Sequence, residues 1–237
     1  ESGISLWTHV IGLNDKAWVA YCNRGLAYTH LGHYDPAIRD YTKTIELKPD
    51  DHLAYNNRGN VYAAVGQRDL AIRDYTKAIE SKPDYADACY NRGNTHRAAG
   101  AHDLAIRDYT RAIKLKPDFE QAYANRGLAY RAIRDHGPAI RDYTRAIELN
   151  PDSEQYYNNR GNAYGDIGDS SRAIRDYTRA TVLNPTFAEA YLNRAAAHYA
   201  LKRYDRAWAD LKMYRQLGGT PNPELVGALI KATGRTE

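Results

Sequence analysis

The sequence predicts an all-α tandem-repeat array, an α-solenoid, and three observations predict it. The tripeptide Asn-Arg-Gly stands at 23–25, 57–59, 91–93, 125–127 and 159–161, and Asn193-Arg194-Ala195 follows at the same step of 34 residues. The stretches "AIRDYTK" and "AIRDYTR" begin at 37, 71, 105, 139 and 173, again 34 apart. Pro49, Pro83, Pro117, Pro151 and Pro185 close successive units at that step. A period this strict, without insertions, is the mark of short units that bury their apolar faces only by stacking.

Each unit reads as two helices. With the glycine of Asn-Arg-Gly counted as position 8, helix A covers roughly positions 2–14 and stops near Gly32, Gly66, Gly100 or Gly168 at position 15. Helix B is expected to open on an N-cap aspartate, Asp35 (with Pro36 at its first position), Asp69 or Asp103. It runs to the proline that stops it. Before the first full unit, residues 5–15 fit a lone helix B with Trp7 at position 24 and Leu13 at position 30. After the last, "NPELVGALIKATG" at 222–234 reads as a capping helix opened by Pro223 and Glu224. The organisation expected is a half repeat at 1–16, six repeats at 17–50, 51–84, 85–118, 119–152, 153–186 and 187–220, and a cap at 221–237.

Composition sets further bounds. Hydrophobic residues make up 43% and charged residues 26% of the 237, an ordinary globular balance. A net charge of +4 does not call for nucleic acid. No apolar run approaches the roughly 20 residues that cross a bilayer, so no membrane insertion by this segment is expected. The start lacks the basic and apolar regions of a signal peptide. Cys22 and Cys89 cannot form a disulfide framework. His30 and His33 are a close pair without a third ligand, and no catalytic constellation or phosphate loop is present. Neither enzyme activity, a cofactor nor a metal is expected.

These residues bring the unit to a known family. It resembles the tetratricopeptide repeat (TPR) over nearly the whole chain. The second unit supplies the preferred residues throughout: Tyr55, Gly59, Tyr62, Gly66, Ala71, Tyr75, Ala78 and Pro83. Tyrosine at positions 4, 11 and 24 accounts for 14 of the 21 Tyr, against 2 Phe in all. Cys89, His96 and Arg134 depart from the pattern, and the sixth unit loses it after Asp210. The resemblance implies a right-handed superhelix whose helices A line a concave groove that holds protein or peptide partners. The start "LWTHVIGLNDKAWVAYCNRG" resembles the junction after the membrane-embedded part of some bacterial glycosyltransferase-like proteins, which implies a soluble domain excised from a larger protein.

A helical wheel at 100° per residue gives Asn-Arg-Gly three jobs. Gly at 8 lies in the buried arc and lets helix B approach. Arg at 7 also lies there, and a buried guanidinium needs a partner. Asp40, Asp74, Asp108, Asp142, Asp176 and Asp210 at position 23 are the expected ones, forming a ladder of ion pairs. Asn at 6 falls on the opposite arc, where stability should not need it. A primary amide donates and accepts at once, as a peptide backbone does. The expected peptide-binding residues are therefore Asn23, Asn57, Asn91, Asn125, Asn159 and Asn193, joined by Asn60, Asn94 and Asn162 at position 9. Simple duplication of an ancestral Asn is the competing reading.

The surround varies, with position 5 reading Cys22, Asn56, Tyr90, Ala124, Asn158 and Leu192, and Arg97 and Arg131 at position 12. A constant amide row in a varied surround suits backbone capture with side-chain selection. The lysines with which some TPR domains clamp chaperone C-termini are missing. Arg39, Arg73, Arg107, Arg141 and Arg175, with Lys43, Lys77, Arg111, Arg145 and Arg179, make a basic stripe on helix B, read as a solvated face. The function expected is a peptide-binding interaction module. The alternative is a structural or assembly domain acting by self-association.

Overall fold

The computed structural model describes residues 2–235, and fourteen α-helices occur among them. Helix α1 (Ser2–Leu13) leads. Six A/B pairs follow: α2 (Trp18–His30) and α3 (Tyr34–Leu47), α4 (His52–Ala64) and α5 (Arg68–Ser81), α6 (Ala86–Ala98) and α7 (His102–Leu115), α8 (Glu120–Ala132) and α9 (His136–Leu149), α10 (Glu154–Asp166) and α11 (Ser170–Leu183), α12 (Ala188–Ala200) and α13 (Tyr204–Gln216). Helix α14 (Pro223–Thr233) comes last. The chain divides into two compact units, residues 1–122 and 123–237. Within them, α1 to α7 and α9 to α14 each pack on their neighbours in sequence, the arrangement of a TPR α-solenoid.

The turn between helices A and B is tighter than the sequence implies. Gly66 takes φ 79°, its N–H bonds Ala63 O at 3.1 Å, and Gln67 N–H bonds Tyr62 O at 2.8 Å. Helix B starts on the next residue, so Asp35, Asp69 and Asp103 lie inside the first helical turn. They are not the N-caps that the sequence predicts; those positions are His33, Gln67 and Ala101, and the aspartate charge inside the first turn is favourable at the positive end of the helix dipole. Side-chain caps occur elsewhere: Asp51 accepts from Ala54 N–H and Asp169 from Arg172 N–H, both at 2.9 Å. Arg134 and Lys202 hold the left-handed turn without glycine, at φ 62° and 56°, a conformation costing on the order of 1 kcal/mol.

The predicted ion pair is present in all six repeats. Arg58 Nε and Nη2 reach Asp74 Oδ2 and Oδ1 at 2.7 and 2.9 Å. Arg24–Asp40, Arg92–Asp108, Arg126–Asp142, Arg160–Asp176 and Arg194–Asp210 repeat the same two-pronged geometry. The third guanidinium nitrogen crosses to the preceding repeat: Arg58 Nη1 donates to Thr42 Oγ1 and Arg92 Nη1 to Thr76 Oγ1, both at 2.9 Å. Arg160–Thr144 and Arg194–Thr178 match them. Arg24 finds Thr8 of α1 at 3.2 Å, so α1 stands in the register of a helix B. Tyr55 and Tyr62 flank the guanidinium, each ring centroid 5.8 Å from Arg58 Cζ, an added cation–π attraction.

Gly at 8 faces Tyr at 24. A Cβ on Gly59 would lie 2.8 Å from the Tyr75 ring, and one on Gly161 2.6 Å from Tyr177. In the last repeat the glycine is Ala195 and the tyrosine is Leu211, and the two share one buried cluster with Ala207 and Leu229. The extra methyl on one helix is matched by a shorter side chain on the other. Leu229 belongs to α14, which covers this repeat with Leu225 and Val226 and starts on an Asn222 cap and Pro223.

Two predictions follow from this packing. Asp74 is buried, so Arg58→Leu strands a carboxylate and should cost about 3 kcal/mol or more. Arg58→Leu/Asp74→Leu should cost less than the single change; urea melts of the three proteins check the sign, and zero coupling would refute the pair's role. His96 takes tyrosine's place at position 11, and burial lowers its pKa against the opposing pull of Asp108. A depressed folded pKa means that the unfolded chain binds the proton more readily. The contribution of neutral His96 is therefore complete above about pH 6.5 and lost as pH falls through the lower folded value. His96→Tyr should lose less stability than the parent between pH 7.5 and 5, by thermal melts at both.

Candidate functional site

The six asparagines at position 6 are all half-buried along helix A. Two of them bridge repeats. Asn91 Nδ2 donates to Asn56 Oδ1 at 3.0 Å, and Asn193 Nδ2 to Asn158 Oδ1 at 3.1 Å. Their acceptors occupy position 5 of the preceding helix A. Where that position holds Cys22 or Ala124, the next amide has no such acceptor. Among the described residues, Asn23, Asn57 and Asn159 make no side-chain hydrogen bond, and their amides offer both a donor and an acceptor.

Position 5 is not a groove position. Asn56 and Asn158 are 4% and 2% exposed and Ala124 is buried. Cys22 packs against the cluster of Ala37, Tyr41 and Val61. A wheel drawn against one partner misses this burial, because helix A also touches the helix A of the next repeat. Burial, and secondarily the Asp51 charge, pushes the Cys22 thiol up to about 11, and burial raises that of Cys89. Both thiols stay protonated near neutrality and are poor nucleophiles.

The asparagines at position 9 have an internal task that the sequence reading missed. Tyr75 OH donates to Asn60 Oδ1 at 2.9 Å, Tyr109 OH to Asn94 Oδ1 at 2.8 Å, and Tyr177 OH to Asn162 Oδ1 at 2.9 Å. Each accepts from a tyrosine that is itself buried against glycine. The Tyr109 hydroxyl is pushed up to about 12, by burial first. In the first repeat, position 9 is Leu26 and the Tyr41 hydroxyl bonds Thr29 instead. The sequence holds only a weak signal for this bond: tyrosine at 24 stands with asparagine at 9 in three units but with Leu26 and Leu128 in two others.

Two cavities open beside this helix-A face. One, about 270 Å³, lies between α4, α5 and α6 and brings together Asn60, Asn91 and Asn94 with Arg68. The other, about 360 Å³, lies between α8, α9 and α10 and is lined by Leu128, Arg131, Arg134, His136 and Asp166. On helix B the stripe residues Arg39, Arg73, Arg107, Arg141 and Arg175 are exposed. Lys43, Lys77 and Arg145 pair with Glu46, Glu80 and Glu148 one turn on, while the position-22 arginines keep the face cationic. No group of three potential metal ligands occurs among the described residues, and none of their helices is long and apolar enough to cross a membrane.

A helix pair that turns through a left-handed residue, buries alanine at position 20 and stacks at a step of 34 residues defines a class, the tetratricopeptide repeats. The profile of that family matches residues 18–51, 52–85, 86–119 and 120–153, and a second tetratricopeptide-repeat profile matches 158–220. The chain belongs to the tetratricopeptide-repeat family, whose members typically serve as protein-interaction modules. It is 42% identical over 50 residues to Hsp70-Hsp90 organizing protein 2 of Arabidopsis thaliana, a match covering 21% of this chain and 9% of that protein. The crystal structure of MamA superposes with a TM-score of 0.66 at 26% identity, over 73% of this chain and 94% of the other. That of YrrB, described as a TPR protein with an unusual peptide-binding site, gives 0.67 at 21% identity, over 78% and 95%. Pseudomonas aeruginosa pilF gives 0.73 at 20% identity, over 87% and 94%.

The two asparagine positions should separate on mutation. Asn162→Ala leaves the buried Tyr177 hydroxyl without its acceptor and should cost about 1–3 kcal/mol. Asn159→Ala should be neutral or slightly stabilising, since alanine is the better helix former. Chemical denaturation of both single variants measures the difference; equal costs would mean that position 6 also carries the fold.

Proposed function

We propose that this chain is a protein-interaction module that holds an extended peptide or partner segment along its helix-A face through the asparagine row. One observation carries the reading. Two other recurrent polar side chains on helix A have internal partners: Arg at 7 has Asp, and Asn at 9 has Tyr. Asn23, Asn57 and Asn159 have none, yet Asn stands at position 6 in all six copies. Helices pack at roughly 8–10 Å, and three residues of extended chain span about 10 Å, so within one unit the amides of adjacent repeats, such as Asn23 and Asn57, meet a peptide backbone at matching intervals. The family's usual role and the description of YrrB as peptide-binding support the same reading.

An assembly role by self-association is the second reading. It is favoured by Leu6, Leu13 and Val19, which are exposed on the first two helices. Apolar side chains left open there suit a further protein surface.

The peptide reading is tested with Asn23→Ala/Asn57→Ala/Asn159→Ala. A peptide captured by the parent and mapped by mass spectrometry should bind this variant about a hundredfold more weakly, with roughly 1 kcal/mol for each lost hydrogen bond. Stability should hold or rise, because Ala replaces Asn in a helix. Unchanged affinity would mean that the row is inherited by duplication. Concentration-dependent sedimentation abolished by Leu6→Glu/Leu13→Glu, with no peptide bound, would favour assembly instead.

A further inference from the structure

Helix α7 differs from the other helices B of its unit on the side turned away from the core. Its inner side buries Ala105, Asp108, Tyr109, Ala112 and Ile113. Leu104, Arg107, Arg111, Lys114 and Leu115 fall within a second arc of about 100° on the helical wheel. All five are exposed, the two leucines at 44% and 36%. Arg111 Nη2 donates to Pro83 O at 2.8 Å. None of the three cations has an ion pair among the described residues.

The neighbouring helices show how the charge builds up at α7. On α3 and α5, position 29 is Glu46 and Glu80, which answer Lys43 and Lys77 one turn back. On α7 that position is Lys114, so a third cation replaces the acid. Asp103, at the edge of the arc, is the one exposed acid of α7, since Asp108 is buried on Arg92. Arg73 and Arg39 carry the cationic stripe on to α5 and α3, likewise exposed. The two leucine positions of α7 are Leu70 and Ser81 on α5 and Pro36 and Leu47 on α3, and neither of those helices exposes a large apolar side chain.

Exposed leucines beside unpaired cations are the composition of a helix that lies in a membrane interface. We propose that the outer face of α7 docks the chain on an anionic lipid surface, with its cations among the headgroups and Leu104 and Leu115 at the boundary with the acyl chains. Each Lys or Arg beside such a surface strengthens binding about fivefold. Nucleic acid fits this face less well. Single-stranded bases stack on aromatic side chains, and the arc has none, since Tyr109 is buried against Gly93. The contact lies on helix B, away from the helix-A asparagines, and does not depend on the peptide reading.

The test spins the whole chain with vesicles of phosphatidylcholine and phosphatidylserine in equal parts, and with vesicles of phosphatidylcholine alone. The parent should sediment with the first and not with the second, and added salt should weaken the binding by screening the headgroup charge. Arg107→Gln/Arg111→Gln/Lys114→Gln should weaken it about a hundredfold, the product of three such factors. Leu104→Ser/Leu115→Ser should weaken it about tenfold and leave the salt dependence unchanged. Arg141→Gln/Arg175→Gln/Arg179→Gln removes the same charge from α9 and α11 and should leave binding as it is. All the replaced side chains are exposed, and melting curves check that each variant folds. Equal losses from the two triple variants would make the attraction one of net charge and overturn the assignment to α7. No sedimentation with the phosphatidylserine vesicles, or tighter binding of poly(U) than of those vesicles at the same salt, overturns the lipid surface itself.

Discussion

The arginine at position 7 is the constraint on which the rest of the array depends. A guanidinium has five donors in a rigid fork and cannot be neutralised in a protein interior. Once helix A carries it into the buried arc, a carboxylate must stand across from it on helix B, and Asp at position 23 does so in every repeat. Two of its nitrogens then lock helix A to helix B, and the third ties the pair to a threonine of the helix before it. The motif Asp-Tyr-Thr is thereby accounted for residue by residue. Asp binds the arginine of its own repeat, Tyr lies on the glycine of its own repeat, and Thr binds the arginine of the next. An aliphatic residue at position 7 would pack without imposing this register. Ion pairs of this kind are weak evidence for stability, since apolar replacements often match them. Their clearest effect here is to set which helix faces which.

The glycine is the second half of the same arrangement. Bringing the helices close enough for a short, two-pronged Arg–Asp contact leaves no room for a Cβ above the tyrosine ring. The close approach in turn buries the tyrosine, whose hydroxyl then needs an acceptor. Asparagine at position 9 meets that need in three repeats and Thr29 in the first. One buried charge thus sets off a chain of requirements, from glycine to tyrosine to asparagine, that accounts for much of the unusual composition of helix A. The last repeat keeps the ion pair but relaxes the rest, with Ala195 over Leu211 and a capping helix laid on both.

Function enters where that chain of requirements stops. Asparagine is a poor helix residue, and at positions 5 and 9 the structure shows what each one satisfies. At position 6 it does so for Asn91 and Asn193, and not for Asn23, Asn57 or Asn159. The helix-A face is therefore neither a uniform ladder nor mere repetition. It mixes amides that bind the array to itself, Asn91 and Asn193, with amides that are open, Asn23, Asn57 and Asn159. The two cavities also differ in charge. One is lined by the Arg131–Asp166 pair, and the other by Arg68 without an acid.

The sequence by itself determined the period, the pairing of helices A and B, the family and the Arg–Asp ladder. All of these follow from local periodicity and from one rule, that a buried charge must be paired. Only the tertiary structure decided the rest. The burial of position 5, the Arg–Thr bond between repeats, the Asn–Tyr bonds at position 9 and the cavity at Arg68 all involve a second or third helix. A wheel drawn for one helix has one inside and one outside, whereas a helix A in a stacked array has neighbours on two sides. The displaced N-caps have a similar origin: the left-handed turn at position 15 is so short that helix B begins before its aspartate. The choice between an open and an engaged asparagine is decided one repeat away, by whether residue 22, 56, 124 or 158 carries an amide. That distance is local in space and 35 residues away in sequence, which is why no reading of a single repeat could see it.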